Sequence, residues 1–67
     1  MKIGKQIKLI RTEKDIKQYD LARELGITSQ YLSAIENGKR SPSFKLLEKI
    51  ATTFNVDVKL TFADLNK

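Results

Sequence analysis

The chain has 67 residues, enough for one small domain, and contains neither cysteine nor histidine. A disulfide, a zinc thiolate site, a histidine-ligated metal and a histidine general base are therefore excluded. Thirteen lysines and arginines against eight acidic residues give a net charge of +5, which favours a polyanionic partner. The lysine-bearing N-terminus contains no long apolar run, so we expect no signal peptide, no membrane span and a cytoplasmic location.

The first predicted element is a helix from about residue 2 to residue 14. Ile3, Ile7 and Ile10 follow the spacing of one helix face. Asp15 is expected to end the helix, because aspartate tolerates a left-handed backbone better than most residues.

Two shorter helices are predicted over residues 18–25 and 29–37. Gly26 and Gly38 follow them, at the position where a helix commonly ends in a left-handed residue. Thr28 is a candidate N-cap for the second of the two. Their inward-facing residues are expected to be Leu21, Ala22, Leu25, Leu32 and Ile35.

A fourth helix is predicted over residues 44–54, capped by Ser43 after the single proline. After this helix, apolar residues recur at every second position, which predicts a strand over residues 56–62. The competing interpretation is a short fifth helix over residues 57–65, packed on the fourth helix.

The second and third helices, joined by a turn that contains Gly26, have the organisation of a helix-turn-helix. In that motif the second helix projects from its scaffold far enough to enter the major groove of B-DNA, and the first helix braces it. The outward residues of the third helix are polar, as this use requires.

The stretch QYDLARELGITSQYLSAIENGKRSP, residues 18–42, resembles the phage repressor and Cro family of helix-turn-helix proteins, the Xre family. LLEKIATTFNV extends the likeness through the fourth helix. The resemblance covers roughly residues 3–56 and implies an all-α, lambda-repressor-like domain of four to five helices. We expect a single domain over residues 1–67, which adds the short C-terminal strand. The features that match in order and spacing are Gln18, Leu21, Ala22, Gly26, Ile27, Glu36, Gly38 and Pro42.

By resemblance, five residues of the third helix face the bases. Gln30 is the best reader, because its amide can pair bidentately with adenine N6 and N7. Tyr31 is expected to stack on a sugar or contact a thymine methyl. The remaining groove-facing residues are Ser29, Ser33 and Ala34.

The resemblance also assigns contacts to the DNA backbone. Gln18 is expected to hold a phosphate together with the N-terminus of its helix. The residue before it, often a serine or threonine cap in relatives, is here Lys17. The full set of backbone contacts is Lys17, Gln18, Thr28, Asn37, Lys39 and Arg40.

Two structural expectations complete the prediction. Arg11 and Glu36 match positions that form an ion pair between the first and third helices of the phage repressors. A lone strand needs a partner for its backbone groups, so we expect a two-fold homodimer in which Val58, Leu60 and Phe62 lie in the interface.

The function that the sequence favours is sequence-specific binding of double-stranded DNA by a transcriptional regulator, as a dimer on a palindromic operator. One alternative is the antitoxin half of a toxin–antitoxin pair, which also binds a toxin protein. Another is a protein-binding adaptor that does not bind DNA. We expect no enzyme activity, cofactor or small-molecule ligand, because the chain has no nucleophile–base pair and no phosphate-binding glycine loop.

Overall fold

The computed structural model describes residues 3–57 and residue 61. Four helices occur in this part of the chain, and each boundary lies within one residue of its prediction. Lys2, the predicted first residue of the first helix, lies outside the described residues. The helices are α1 Ile3–Glu13, α2 Gln18–Leu25, α3 Ser29–Glu36 and α4 Phe44–Phe54.

Two of the helices begin at the predicted side-chain caps. The Thr28 hydroxyl accepts a hydrogen bond from the Tyr31 N–H at 3.0 Å, and the Ser43 hydroxyl accepts one from the Leu46 N–H at 3.1 Å. These bonds satisfy backbone donors that a helix leaves unpaired in its first turn. Lys17, at the start of α2, makes no such bond.

Left-handed residues follow the helices, as the sequence predicts for Asp15, Gly26 and Gly38. Their φ angles are 57°, 74° and 79°, and that of Asn55 is 59°. No atom lies within 4 Å of the position that a Cβ would take at Gly26 or Gly38. Glycine is therefore favoured at these two positions by backbone conformation rather than by lack of space.

The core lies where α1 and α2 pack against α3 and where α4 packs against α2. Leu32 and Ile35 of α3 are almost completely buried, so this helix is anchored along its inner face. Leu9 on the outer face of α1 is 58% exposed. The buried apolar residues are Ile3, Ile7, Leu21, Ala22, Leu25, Leu32, Ile35, Leu47, Ile50, Ala51 and Phe54.

Gly4 lets the start of α1 lie directly against the end of α3. A Cβ at this position would overlap the carbonyl oxygen of Ile35 and lie 3.1 Å from that of Glu36. Only a residue without a side chain allows this approach, so Gly4 sets the distance between the two helices.

The predicted strand over residues 56–62 is wrong where the structure describes it. Val56 and Asp57 belong to no strand, and Thr61 is helical. The Thr61 N–H donates to the Asp57 carbonyl, four residues earlier, at 2.9 Å, which is an α-helical bond and agrees with the competing prediction of a fifth helix. The residues assigned to a dimer interface, Val58, Leu60 and Phe62, lie outside the described residues.

Across residues 3–57 and 61, the helices are too short or too polar to cross a membrane.

Candidate nucleic-acid interface

The outer face of α3 carries the residues that were predicted to read bases. Gln30 is exposed, and Ser29, Ser33 and Ala34 are partly exposed. Gln30, Ser33 and Ala34 follow the i, i+3, i+4 spacing and so share one face of the helix. Tyr31 differs from them, because it is packed in part against the apolar core.

Asn37 connects the exposed face of α3 to the loop that follows. Its side-chain amide donates to the Ser33 hydroxyl oxygen at 3.3 Å. A hydroxyl that accepts this bond can still donate its own hydrogen. Ser33 is therefore oriented by Asn37 while it keeps a donor for a base or a phosphate.

The basic loop, residues 37–41, is folded back on the end of α3. The N–H groups of Lys39 and Arg40 both donate to the Ala34 carbonyl, at 2.9 and 3.2 Å. Both side chains are exposed, and the Arg40 Cζ lies 5.3 Å from the centroid of the Tyr31 ring. Two cations are thus held at one end of the exposed face of α3.

The N-terminus of α2 provides a second positive region. The Leu21 N–H makes the first bond of this helix, to the Lys17 carbonyl at 3.0 Å. The N–H groups that precede it have no acceptor within the helix, and the helix dipole adds partial positive charge. Lys17 is exposed at this end, so the group as a whole suits an anion such as a DNA phosphate.

A buried polar network joins α1, α2 and α3. The predicted ion pair is present: the Arg11 Nε and one Arg11 terminal nitrogen donate to the two Glu36 carboxylate oxygens at 2.7 and 3.1 Å. The other terminal nitrogen of Arg11 donates to the Ile16 carbonyl at 2.9 Å. Arg11 is 8% exposed and Glu36 is 5% exposed, so both charges are buried.

Gln18 is the third member of this network, which sequence reasoning did not find. Its Nε2 donates to Glu36 Oε1 at 3.1 Å, where the resemblance predicted only a phosphate contact. An amide nitrogen carries two hydrogens, so this bond leaves one for a phosphate. No sequence signal joins positions 18 residues apart, and the contact depends on the packing of α2 against α3.

A further cation beside Gln30 was also missed by the sequence analysis. Arg23 lies 5.6 Å from the centroid of the Tyr19 ring and 3.7 Å from the Asp20 carboxylate. All three side chains are exposed on α2, next to the start of α3. Two of them, Tyr19 and Arg23, line a surface groove whose other residues are Ala22, Ile27, Thr28, Ser29 and Gln30.

Within residues 3–57 and 61, no cluster of three or more acidic side chains has the geometry to hold a metal ion.

Two short helices at a fixed angle, with a polar outer face on the second, define a helix-turn-helix domain. The family model described as "Helix-turn-helix" matches residues 7–60, and the chain belongs to this family, of the Xre type.

Several relatives are similar over most of this chain. It is 46% identical over 59 residues to the ImmF control region 10 kDa protein of Bacillus phage phi105, which covers 88% of this chain and 66% of that protein. It is 35% identical over 68 residues to the control protein C.MunI of Mycoplasma sp, with 100% and 92% covered. It is 44% identical over 54 residues to the antitoxin PezA of Streptococcus pneumoniae, with 81% and 34% covered.

Among solved structures, the chain is similar to that of "the master regulator for biofilm formation SinR in complex with DNA". The TM-score is 0.80 at 36% identity, over 90% of this chain and 97% of that one. The chain spans just under two thirds of the phage protein and about one third of PezA.

Proposed function

We propose that this protein binds double-stranded DNA sequence-specifically through α3 and regulates transcription as a two-fold dimer on a palindromic operator. The observation that carries the proposal is the exposed polar face of α3 together with two positive regions close to its C-terminal end, the N-terminus of α2 and the basic loop. An α-helix fits the major groove, and cations beside it match the phosphates of the DNA backbone. The likeness to SinR, solved in complex with DNA, supports the same use of the fold.

Within this proposal, Gln30 reads a base. Its side chain is exposed and makes no hydrogen bond among the described residues, so the amide is available to an adenine edge. Ser29 and Ser33 contact bases or phosphates, and Ala34 packs against the groove, where a methyl group meets a thymine methyl.

The backbone contacts fix the register of α3 in the groove. Lys17 and Gln18 hold one phosphate at the N-terminus of α2, and Thr28 lies at the start of α3. Asn37, Lys39 and Arg40 hold the next phosphates at the other end of α3. Contacts of this type orient a protein on DNA without reading its sequence.

The dimer is proposed because sequence-specific binding needs more base contacts than one copy of α3 provides. One recognition helix contacts few base pairs, whereas two helices on a two-fold axis read half-sites one helical turn, about 34 Å, apart. Sedimentation at micromolar concentration tests the proposal, and a monomer both free and on its selected duplex contradicts it.

Selection of bound duplexes from a random pool tests the whole proposal. We expect a palindromic consensus, whereas recovery of unrelated sequences would leave only non-specific binding. Fluorescence anisotropy on the selected duplex and on a scrambled one then provides the assay for variants.

Gln30→Ala and Lys39→Ala are expected to weaken DNA binding in different ways in that assay. A lost bidentate contact costs about 1–3 kcal/mol at one base pair, so Gln30→Ala weakens the selected duplex and spares the scrambled one. Lys39→Ala weakens both and reduces the slope of log K against log salt by about 0.9.

Lys8→Ala, on the outer face of α1, is the matched control for the loss of one positive charge. Equal losses on both duplexes for Gln30→Ala would exclude a base-reading role for Gln30. An equal change in salt slope for Lys8→Ala would show that Lys39 acts only through net charge.

An antitoxin role is the second candidate, favoured by the likeness to PezA. An antitoxin of this type binds DNA and also blocks a toxin. Co-expression with the product of the adjacent gene tests it: growth arrest by that product alone, relieved by this chain, supports the role. A harmless neighbouring product contradicts it and leaves DNA binding unaffected.

A further inference from the structure

Tyr31 combines two environments that do not fit a base-reading residue. Part of its ring packs on the core, and the guanidinium of Arg40 lies over the ring, 5.3 Å from its centroid. That distance is within the range of a cation–π interaction. Part of the ring therefore contacts the protein core, and one face of the ring is covered by a cation.

The backbone around Arg40 holds the arginine in reach of this ring. The Arg40 N–H donates to the Ala34 carbonyl, one turn after Tyr31 along α3. Gly38 makes the tight turn possible, with a φ of 79°, and Pro42 is buried directly after the loop. The start of the arginine side chain is thus fixed, and only its outer part remains to be oriented.

A guanidinium stacked on a ring uses its face and keeps its edge donors free. Those donors form the planar fork that pairs with two phosphate oxygens. A long arginine side chain loses rotamer freedom when it is immobilised at an interface. Contact with Tyr31 restricts Arg40 before DNA arrives, so less freedom is lost on binding.

We propose that Tyr31 is a positioning residue that orients Arg40 towards a DNA phosphate, and that it does not read a base. The inference rests on the proposed function, since it needs a phosphate for Arg40 to contact. Tyr31 lies next to Gln30 in α3. Under this inference Arg40 and the base-reading face of α3 therefore belong to one rigid unit.

A double-mutant cycle of Tyr31→Leu with Arg40→Ala tests the inference by anisotropy on the selected and scrambled duplexes. A cation–π interaction at an exposed site corresponds to roughly 2- to 5-fold in an equilibrium. We expect Tyr31→Leu to weaken both duplexes by about that factor. In the Arg40→Ala background the same change should have no further effect, and Tyr31→Phe, which keeps the ring, should restore binding.

Other roles for Tyr31 give different results. A base reader loses affinity for the selected duplex alone, whether or not Arg40 is present. A merely structural ring lowers the melting temperature without any dependence on Arg40. Either pattern overturns the inference. If Tyr31→Leu folds poorly, the Arg40 proton shifts of the unmodified protein still test it.

NMR of the free protein separates this inference from the proposed function. The ring of Tyr31 should shift the Arg40 side-chain protons upfield in the unmodified protein and in Tyr31→Phe, and the shift should vanish in Tyr31→Leu. Its absence from the unmodified protein overturns the inference even if DNA is bound. Failure of the unmodified protein to bind any duplex contradicts the proposed function, while the proton shifts still decide whether Arg40 is held.

Discussion

Removal of one partner from the buried ion pair should destabilise this protein more than removal of both. Arg11→Met leaves the Glu36 carboxylate, 5% exposed, with the Gln18 amide as its donor in the described network. Breaking a buried pair in this way costs about 3–5 kcal/mol. The Ile16 carbonyl also loses its donor, which adds about 1 kcal/mol or more.

The double variant, Arg11→Met with Glu36→Leu, leaves no buried charge. What remains is the cost of the Gln18 amide and the Ile16 carbonyl without partners, about 1 kcal/mol each because both groups are only partly buried. The double variant should therefore lose less stability than Arg11→Met alone, and the two single losses added together should exceed the double loss by about 2–3 kcal/mol or more, at or above the top of the range for residues in contact.

Urea unfolding followed by far-UV circular dichroism measures these changes. A domain of this size has roughly 3–10 kcal/mol of stability in total. Arg11→Met is therefore expected to be partly unfolded in buffer, and all variants should be compared in the same concentration of trimethylamine N-oxide, which favours the folded state.

The chain offers a matched control in its exposed pair, Asp20 and Arg23. Their side chains are 52% and 72% exposed, with a nitrogen–oxygen distance of 3.7 Å. An exposed i, i+3 pair contributes only a few tenths of a kcal/mol, so its cycle should be close to additive. Additivity within about 0.5 kcal/mol for Arg11 and Glu36 as well would refute the argument that burial makes their pairing costly to break.

Three further stability predictions use the same unfolding assay. Gly4→Ala gains about 1 kcal/mol in helix propensity but forces a methyl group onto the Ile35 carbonyl, so we expect a net loss of about 1–2 kcal/mol; an increase in stability would contradict the close approach. Gly26→Ala, with open space but a φ of 74°, should lose about 1–2 kcal/mol through backbone strain alone. Ser43→Ala should cost about 1 kcal/mol, and no loss at all would show that the Leu46 N–H is equally well satisfied by water.

The parts of the fold that are determined locally could be predicted from the sequence. Helix spacing located all four helices, and side-chain caps at Thr28 and Ser43 located two of their starts. Asp15 and Gly26 marked two of the ends. Each of these features depends on residues within one turn of one another, so composition and spacing are sufficient.

The prediction of a C-terminal strand failed because a short apolar run fits both the two-residue period of a strand and the 3.6-residue period of a helix. Val56, Val58, Leu60 and Phe62 alternate with polar residues, which fits a strand, but a segment this short also fits a helical turn. The hydrogen bond from the Thr61 N–H to the Asp57 carbonyl is helical. At Thr61 a contact from outside the segment is also present: the Gln6 side chain of α1 donates to the Thr61 carbonyl at 3.0 Å.

The contacts that orient α3 lie between elements, and most of them could not be predicted. Resemblance indicated the pair of Arg11 and Glu36, but nothing in the sequence joined Gln18 to it or set Gly4 against Ile35. A glycine in a helix, or a polar residue at a helix start, has the same local pattern whether or not a second helix lies against it.

These inter-helix contacts have a consequence for recognition. Glu36, the last residue of α3, is bonded to Arg11 of α1 and to Gln18 at the start of α2. The same Gln18 is proposed to hold a phosphate, so the network ties a backbone contact to the end of the recognition helix through one carboxylate. If α3 binds DNA as proposed, a change at Glu36 should therefore alter both the stability of the domain and the register of α3 on DNA, although Glu36 is itself buried.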